Sequence, residues 1–299
     1  MKNILVLSLM ILTGCASSPY ESKDVFSKAS NVTSAAGFFV KSDVSLEDFN
    51  KTHGTAIGST EQVLGGLDFA VATSVNLKIM ERTLLGLTDV AGGTLNVFSL
   101  LKKMGAGTES KDRSLMLAWV PKSEVQSEDD VKLFFLRTLE SALLNENMPL
   151  KVKNKLIQMP IQKSMTAFLV GDGCEEPILC TFIANGFNDI DEVAMPDFLG
   201  QGQSYIFEIE RENSNQQLTF FCAMRRYSRP YSGQLKKEIM SDPEGFERCH
   251  RAINNAAIQF SKNMPEWFYM YRPASAVVGN TVTNVLNKGK THFFIKPNS

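Results

Sequence analysis

The stretch LTFFCAM, residues 218–224, decides the fold, because its alternation predicts a strand with Phe220 and Cys222 on one face. The next clear element is a helix that begins at Asp242, with a proline in its first turn, where the missing N–H does no harm. The apolar face of this helix carries Phe246, Cys249, Ile253, Ala257 and Phe260. Packing of that face on the strand would bring the sulfurs of Cys222 and Cys249 together. The two segments therefore predict a helix packed on a sheet, with a disulfide between them.

Four cysteines follow Cys15 in the sequence: Cys174, Cys180, Cys222 and Cys249. An even number of cysteines predicts two disulfides if the protein resides in an oxidising compartment. Three pairings are possible, and we favour Cys174–Cys180 with Cys222–Cys249. A structural zinc site needs closely spaced ligands such as C-x₂-C, which this chain lacks. The cysteines therefore predict disulfides and no metal site.

Strands and helices alternate in the segments around this pair. Residues 115–120 form an apolar run closed by Pro121, which predicts a buried strand. Ser127 is expected to cap the next helix, with Asp130 in the capping-box position. The apolar face of that helix is Val131, Phe134, Phe135, Leu139 and Leu143. Further extended segments are predicted at 151–158, 166–170 and 178–184. This alternation predicts an α/β or α+β fold, a mixed sheet with packed helices.

The C-terminal third holds a hairpin pattern and a long tail. Residues 205–211 and 218–227 flank the polar segment 212–215, which is typical of a hairpin turn. Beyond the helix, residues 267–272 predict a strand. We expect residues 274–290 to form a loop that leads to a last strand at 292–295.

A small-residue-rich helical region precedes the α/β part. Within residues 67–104, one helical stripe carries Met80, Leu84, Leu87, Ala91, Leu95 and Phe98. Because other apolar residues lie off this stripe, the helix is either a buried core helix or one that packs against a partner subunit or lipid. The polar, glycine-containing stretch 105–113 suggests a boundary. We therefore expect a mainly helical region at 37–106 and an α/β domain at 107–299.

The N-terminus has the features of an export signal. Lys2 is followed by an apolar run, residues 4–12, which is too short for a transmembrane helix of about 20 residues. The run ends in Leu-Thr-Gly-Cys at 12–15, which resembles the lipobox of bacterial lipoproteins. The resemblance implies that residues 1–14 are a signal peptide, and that Cys15 receives a diacylglycerol and an acylated amine. The alternative is ordinary secretion with cleavage near Ala16.

The lipoprotein resemblance also implies a location and partners. Ala16, rather than aspartate, follows the cysteine, which favours the outer membrane, with the protein facing the periplasm and surface exposure left open. Residues 15–36 are serine-rich and predict a lipidated, flexible tether. The expected partners are the membrane, through the lipid, and other envelope proteins. The formal net charge of −1 offers no field for nucleic acid. No cofactor is expected besides the covalent diacylglycerol and acyl lipid on Cys15.

Catalytic motifs are absent from the sequence. It contains no G-x-S-x-G, H-E-x-x-H or P-loop, and His53 and His292 have no nearby partner pattern. His250 follows Cys249 at the edge of its helix's apolar face, where we expect a half-buried, hydrogen-bonded histidine. The acidic stretch 188–192 lacks the ladder of a calcium loop and predicts a solvated loop or helix cap. The glycines within 199–204 precede a strand instead of following one, so they predict a turn.

One basic and aromatic stretch is a candidate ligand contact: Arg225, Arg226, Tyr227, Arg229 and Tyr231. Guanidinium groups beside aromatic rings suit phosphate or sugar ligands, although such charges also protect strand edges from pairing. The sequence as a whole favours a non-catalytic component of the envelope or of secretion assembly that binds other envelope proteins. A lipoprotein that binds a glycan or lipid ligand is the alternative, and an envelope hydrolase is less favoured.

Overall fold

Four helices and two antiparallel sheets make up the described part of the chain. The computed structural model describes residues 18–37, 43–59, 65–67, 114–158, 164–176, 178–187, 190–207, 216–224, 243–274, 280 and 282–297. The helices are α1 (Lys28–Ala35), α2 (Leu46–His53), α3 (Glu128–Leu143) and α4 (Pro243–Asn263). The strands are β1 (Leu115–Pro121), β2 (Lys151–Gln158), β3 (Ser164–Val170), β4 (Ile178–Asn185), β5 (Ile190–Ala194), β6 (Gln203–Phe207), β7 (Gln217–Met224), β8 (Phe268–Arg272), β9 (Asn284–Asn287) and β10 (Lys290–Phe293). The expected combination of sheet and packed helices is confirmed. Within these residues every strand ladder is antiparallel, which makes the fold α+β.

The larger sheet is built around β1. Its six strands lie in the order β10-β9-β8-β1-β6-β5. The apolar run of β1 is buried on both faces, and Pro121 ends it, as the sequence predicted. A strand that is buried on both faces needs a layer of side chains on each side. The larger sheet is therefore the central layer of the fold.

The smaller sheet places β4 and β7 side by side in its order β2-β3-β4-β7. Alternation directs Phe182 and Cys180 of β4, and Phe220 and Cys222 of β7, to the same buried face. In the register, Cys180 lies directly opposite Cys222. The face that the sequence predicted for β7 is therefore the face that enters the core.

Helices α3 and α4 fill the space between the inner faces of the two sheets. Helix α4 buries Cys249, Ile253, Ala257 and Phe260 completely, on the face that the sequence predicted. Asn263 is its last residue, and Pro265 lies just beyond the helix. At the start of α3, the Ser127 hydroxyl donates to the Asp130 carboxylate at 2.7 Å instead of accepting from the backbone. Helix α3 buries its predicted face, except that Phe134 is half-buried beside Trp267.

The outer face of the larger sheet is covered by the segment expected to be a flexible tether, and that expectation is wrong for residues 18–36. Helix α1 lies within this segment and buries Ala29 and Val32 completely. They pack with Trp119, Tyr269 and Tyr271 of the sheet. The serine content misled the prediction, because Ser27 caps the helix and, with Ser30, donates to the carboxylate of Asp43 at 2.7 Å.

The predicted hairpin of residues 205–211 and 218–227 is also wrong. Strand β6 pairs with β1 and β5 in the larger sheet, whereas β7 pairs with β4 in the smaller one. The polar turn signal gave no information on which sheet each strand joins. The tail contains an additional strand, β9, which forms a hairpin with β10. Lys288 and Gly289 both have positive φ, 50° and 78°, as a two-residue hairpin turn requires.

The described residues between 43 and 67 attach to the last strand. Val44 forms a parallel bridge with Ile295, and Leu67 forms an antiparallel bridge with Thr291. In α2, Phe49 packs on Phe293 with ring centroids 5.1 Å apart. The helical stripe expected within 67–104, from Met80 to Phe98, lies outside the described residues. None of the helices that the structure describes has the length and apolar character needed to span a membrane.

Candidate functional site

The four cysteines that follow Cys15 in the sequence meet in one buried cluster of sulfurs. The Cys174 and Cys180 sulfurs are bonded, and so are those of Cys222 and Cys249, which is the pairing favoured from the sequence. All four residues are at most 5% exposed. The Cys180 sulfur also lies 3.3 Å from the Cys249 sulfur, in contact across the two bridges. The disulfides therefore form a single sulfur cluster.

Three structural elements position this sulfur cluster. The ladder of β4 and β7 brings Cys180 and Cys222 face to face, and α4 supplies Cys249. Cys174 belongs to a turn after β3, where its N–H donates to the Gly171 carbonyl at 2.9 Å. A Cβ added to Gly173 would lie 2.6 Å from the Arg248 carbonyl oxygen, so this turn packs directly on the backbone of α4. The bridges thus tie the turn and the helix to the sheet.

The sulfur cluster has a structural role: its two disulfides crosslink parts of the fold. The sulfurs of Cys174, Cys180 and Cys249 lie within 4.8 Å of one another, a spacing that would suit a thiophilic metal if they were thiolates. Thiolate is the form of cysteine that binds metals, and all these sulfurs are bonded in disulfides. Closing the longer loop, of about 28 residues, is worth roughly 3.5 kcal/mol in the chain-entropy treatment.

The three histidines lie on different elements. His250 on α4 is buried, and burial lowers its pKa to about 4. His292 on β10 is buried too; burial first, and the nearby charges of Lys28 and Lys290 next, lower its pKa to about 3. His53 at the end of α2 stacks on Phe49 with centroids 4.6 Å apart. The two buried histidines are therefore neutral at neutral pH.

A buried polar cluster at the end of β8 was missed from the sequence. The Arg272 guanidinium is 2% exposed and donates to Asn254 Oδ1 on α4 at 2.8 Å. Asn280 Nδ2 donates to the Arg272 carbonyl, and Asn284 Nδ2 donates to Asn280 Oδ1 at 2.8 Å. Burial lowers the pKa of Arg272 to about 10, which leaves the group charged at neutral pH. The only sequence signal was an arginine at the end of the otherwise apolar strand.

For residues 190–192 of the acidic stretch, the predicted solvated loop or helix cap is wrong. These residues belong to β5, where Asp191 and Glu192 are exposed and Glu192 pairs with Lys122 at 2.8 Å. The glycines that follow do form a turn, as predicted, with φ of 99° at Gly200 and 140° at Gly202. The basic and aromatic residues from 225 to 231, and Cys15, lie outside the described residues.

The first described residues are fixed to this turn between β5 and β6. The Asp197 N–H donates to the Tyr20 carbonyl at 3.1 Å. The Ser22 N–H and hydroxyl donate to the two carboxylate oxygens of Asp197, at 2.9 and 2.5 Å. Burial opposes the ionisation of Asp197, but these bonds outweigh it and lower its pKa. Further along, Asn31 Oδ1 accepts from the Lys23 N–H at 2.9 Å. These four hydrogen bonds hold residues 20–23 on the body.

The outer face of the smaller sheet exposes apolar side chains. Along β3, Ala167 and Leu169 are buried inward, whereas Phe168 and Val170 point outward with 42% and 36% exposure. Phe168 is directly opposite Thr181, which in turn is opposite the half-buried Phe221. Helix α4 packs on the opposite face of this sheet. Among the described strand residues, Phe168 and Val170 are the exposed large hydrophobic ones, and both lie on this outer face.

Two strand edges carry features that oppose pairing with another chain. Strand β2 ends the smaller sheet and carries lysines at Lys151, Lys153 and Lys155, together with a bulge between Val152 and Asn154. Strand β5 ends the larger sheet, is five residues long and carries two carboxylates. Charges, bulges and short strands all discourage edge-to-edge pairing. A protein partner would therefore meet a face of this fold more readily than one of these edges.

Comparison of the chain with known protein families, with curated proteins and with solved structures finds no match.

Proposed function

We propose that this chain is a lipoprotein anchored to the outer membrane through Cys15, a non-catalytic envelope component whose body binds other envelope proteins from the periplasmic side. The observation that carries the proposal is the sequence Leu-Thr-Gly-Cys at 12–15 behind a short apolar run. The diacylglycerol and acyl chains on Cys15 are its only expected prosthetic group. Two or more acyl chains anchor a protein stably, because each buried CH₂ contributes about 0.8 kcal/mol.

The sulfur cluster supports an extracytoplasmic location. Disulfides persist in oxidising compartments such as the periplasm and are rare in the cytosol. Here all four cysteines beyond Cys15 are buried in two bridges. Two buried disulfides suit a domain that must remain folded outside the inner membrane.

The outer face of the smaller sheet supports a protein partner. Phe168 and Val170 expose apolar surface on the same face as half-buried Phe221, with Thr181 of β4 between Phe168 and Phe221. Exposed apolar patches often mark contacts with proteins. The features of β2 and β5 disfavour association through either of these two edges relative to association through this face. The buried histidines, neutral and on separate elements, offer no general base at the surface.

The decisive experiment is purification of the lipidated protein from its own cells after mild crosslinking. We expect an N-terminal peptide that begins at Cys15 and carries acyl mass, and a stoichiometric envelope protein in the crosslinked product. Phe168→Ser should weaken that crosslink, whereas Leu144→Ser, at another exposed apolar residue, should not. Purified copies that carry a glycan or lipid ligand instead would favour the alternative function. An N-terminus without acyl mass would refute the anchor.

A further inference from the structure

We propose that the turn between β5 and β6, residues 195–202, is the surface with which the body faces the lipid headgroups. This inference rests on the proposed lipidation of Cys15 and adds an orientation to it. Its basis is the contact between that turn and the first described residues of the chain. Tyr20 and Ser22 are both bonded to Asp197 of the turn, and they follow Cys15 closely in the sequence.

Chain length sets the separation between turn and membrane. Three peptide units join Cys15 to Ser18 and five join it to Tyr20, and an extended chain spans at most about 3.6 Å per residue. Tyr20, which is hydrogen-bonded to the turn, therefore lies at most about 18 Å from Cys15, the residue proposed to carry the lipid. The headgroup region is itself roughly 5 to 8 Å thick on each side of the hydrocarbon core. A spacer this short keeps the turn beside the membrane surface.

The chemistry of the turn fits a polar headgroup layer. Ser18, Tyr20 and Glu21 line a groove with Asp197 and Gln201 of the turn and with Gln203 at the start of β6. The exposed carboxylate of Glu21 gives this groove no preference for anionic lipid. Gln201 and Gln203 are exposed, uncharged and able to donate and accept hydrogen bonds. The carboxylate of Asp197 is already engaged by Ser22. The surface therefore suits hydrogen bonding to headgroups, with no requirement for anionic lipid and without insertion into the acyl chains.

Tryptophan quenching on vesicles tests the orientation directly. The lipidated protein would carry Gln201→Trp and be reconstituted in vesicles of phosphatidylethanolamine and phosphatidylglycerol that include a lipid with a nitroxide on its headgroup. We expect a loss of fluorescence for Gln201→Trp relative to unlabelled vesicles, with little change when the phosphatidylglycerol content is varied. The native Trp119 and Trp267 are buried and supply the background, which the unsubstituted protein measures.

Two controls make the result specific. Leu144→Trp places the probe at an exposed site beyond the far end of α3, a helix about 24 Å long, and should be quenched much less. Ten Gly-Ser residues inserted between Ser17 and Ser18 add roughly 18 Å and should restore the fluorescence of Gln201→Trp. Equal quenching at both sites, or none at Gln201 in protein that carries acyl mass, would overturn the orientation alone. Absence of acyl mass would instead refute the proposed function.

Discussion

The Cys180 and Cys249 sulfurs are 3.3 Å apart, although each is bonded to a different cysteine. A free thiol at Cys180 or at Cys249 would therefore lie within contact distance of the disulfide formed by the other pair of cysteines. In thiol–disulfide exchange, a thiolate attacks a bridge sulfur, a new bridge forms and the other sulfur leaves as thiolate. The fold thus brings the two disulfides close enough for exchange between them.

Cys174→Ser should trigger this exchange. The freed Cys180 thiolate attacks the Cys249 sulfur, the Cys180–Cys249 bond forms, and the Cys222–Cys249 bond breaks to release Cys222 as thiolate. Non-reducing peptide mapping after incubation at about pH 8.5, near the ordinary cysteine pKa, should find both pairings. The double variant Cys174→Ser and Cys180→Ser is the matched control, because it removes both sulfurs that lie near Cys249 and should keep Cys222–Cys249 intact. A single native bridge in both variants would contradict the prediction.

Cys15→Ser should abolish lipidation. Without the thiol, no diacylglycerol is attached, and we expect protein that is uncleaved or released as a soluble periplasmic form. Fractionation and intact mass of the protein from cells are the measurements. Ala16→Ser is the control, since it leaves the Leu-Thr-Gly-Cys sequence unchanged and should keep the acyl mass. The anchor is refuted if Cys15→Ser fractionates like the unsubstituted protein without loss of mass.

Asn254→Leu should destabilise the fold by about 2 to 3 kcal/mol, because it removes an acceptor from a buried charged donor, Arg272. Chemical denaturation followed by fluorescence measures the change in the free energy of unfolding. Asn255→Leu makes the same chemical change one residue along α4, at a half-buried site, and should cost less. Equal losses in the two variants would show that the hydrogen bond to Arg272 contributes nothing particular.

The two buried histidines should make stability fall as the pH decreases below about 6.5. Their folded pKa values, about 4 and about 3, lie below the ordinary value of 6.5, so the unfolded chain takes up protons first. Above pH 6.5 the two histidines do not lower the free energy of unfolding. Below pH 6.5 each of them lowers it by about 1.4 kcal/mol per pH unit, until that histidine is protonated in the folded form too. His292→Asn should reduce this slope by one histidine between about pH 6.5 and 5, above the ordinary carboxylate range. An unchanged slope would contradict the prediction.

Residues with a periodic apolar pattern were the predictable part of the fold. The inward faces of β7 and α4 follow from apolar residues that repeat with periods of 2 and 3.6 residues. Each of these faces carries one cysteine, which predicted the Cys222–Cys249 pairing. The pairing of β6 was not predictable, because a turn signal between two strands is local, whereas the choice of sheet depends on β1 and β5. Helix α1 was missed for a related reason: its serines satisfy a cap and a carboxylate that only the fold brings near.

Of the candidate sites, the sulfur cluster was predictable as two pairs but not as one cluster. The contact between Cys180 and Cys249 depends on the register of β4 against β7, which alternation does not fix. The burial of the Arg272 charge could not be predicted from the sequence either, because its partners lie on α4 and in the segment after β8 and only the tertiary fold brings them to Arg272. The lipidation and ligand residues, Cys15 and those from 225 to 231, lie outside the described part of the chain.

The bridges of Val44 with Ile295 and of Leu67 with Thr291 join the two ends of the chain across more than 200 residues. Pairings between residues this distant in sequence form slowly, because the chain loses the entropy of closing a long loop before any native contact stabilises it. The early segments therefore have no strand to pair with until the last one has emerged. Under the proposed export of the chain in extended form, this order would delay completion of the fold until export is finished.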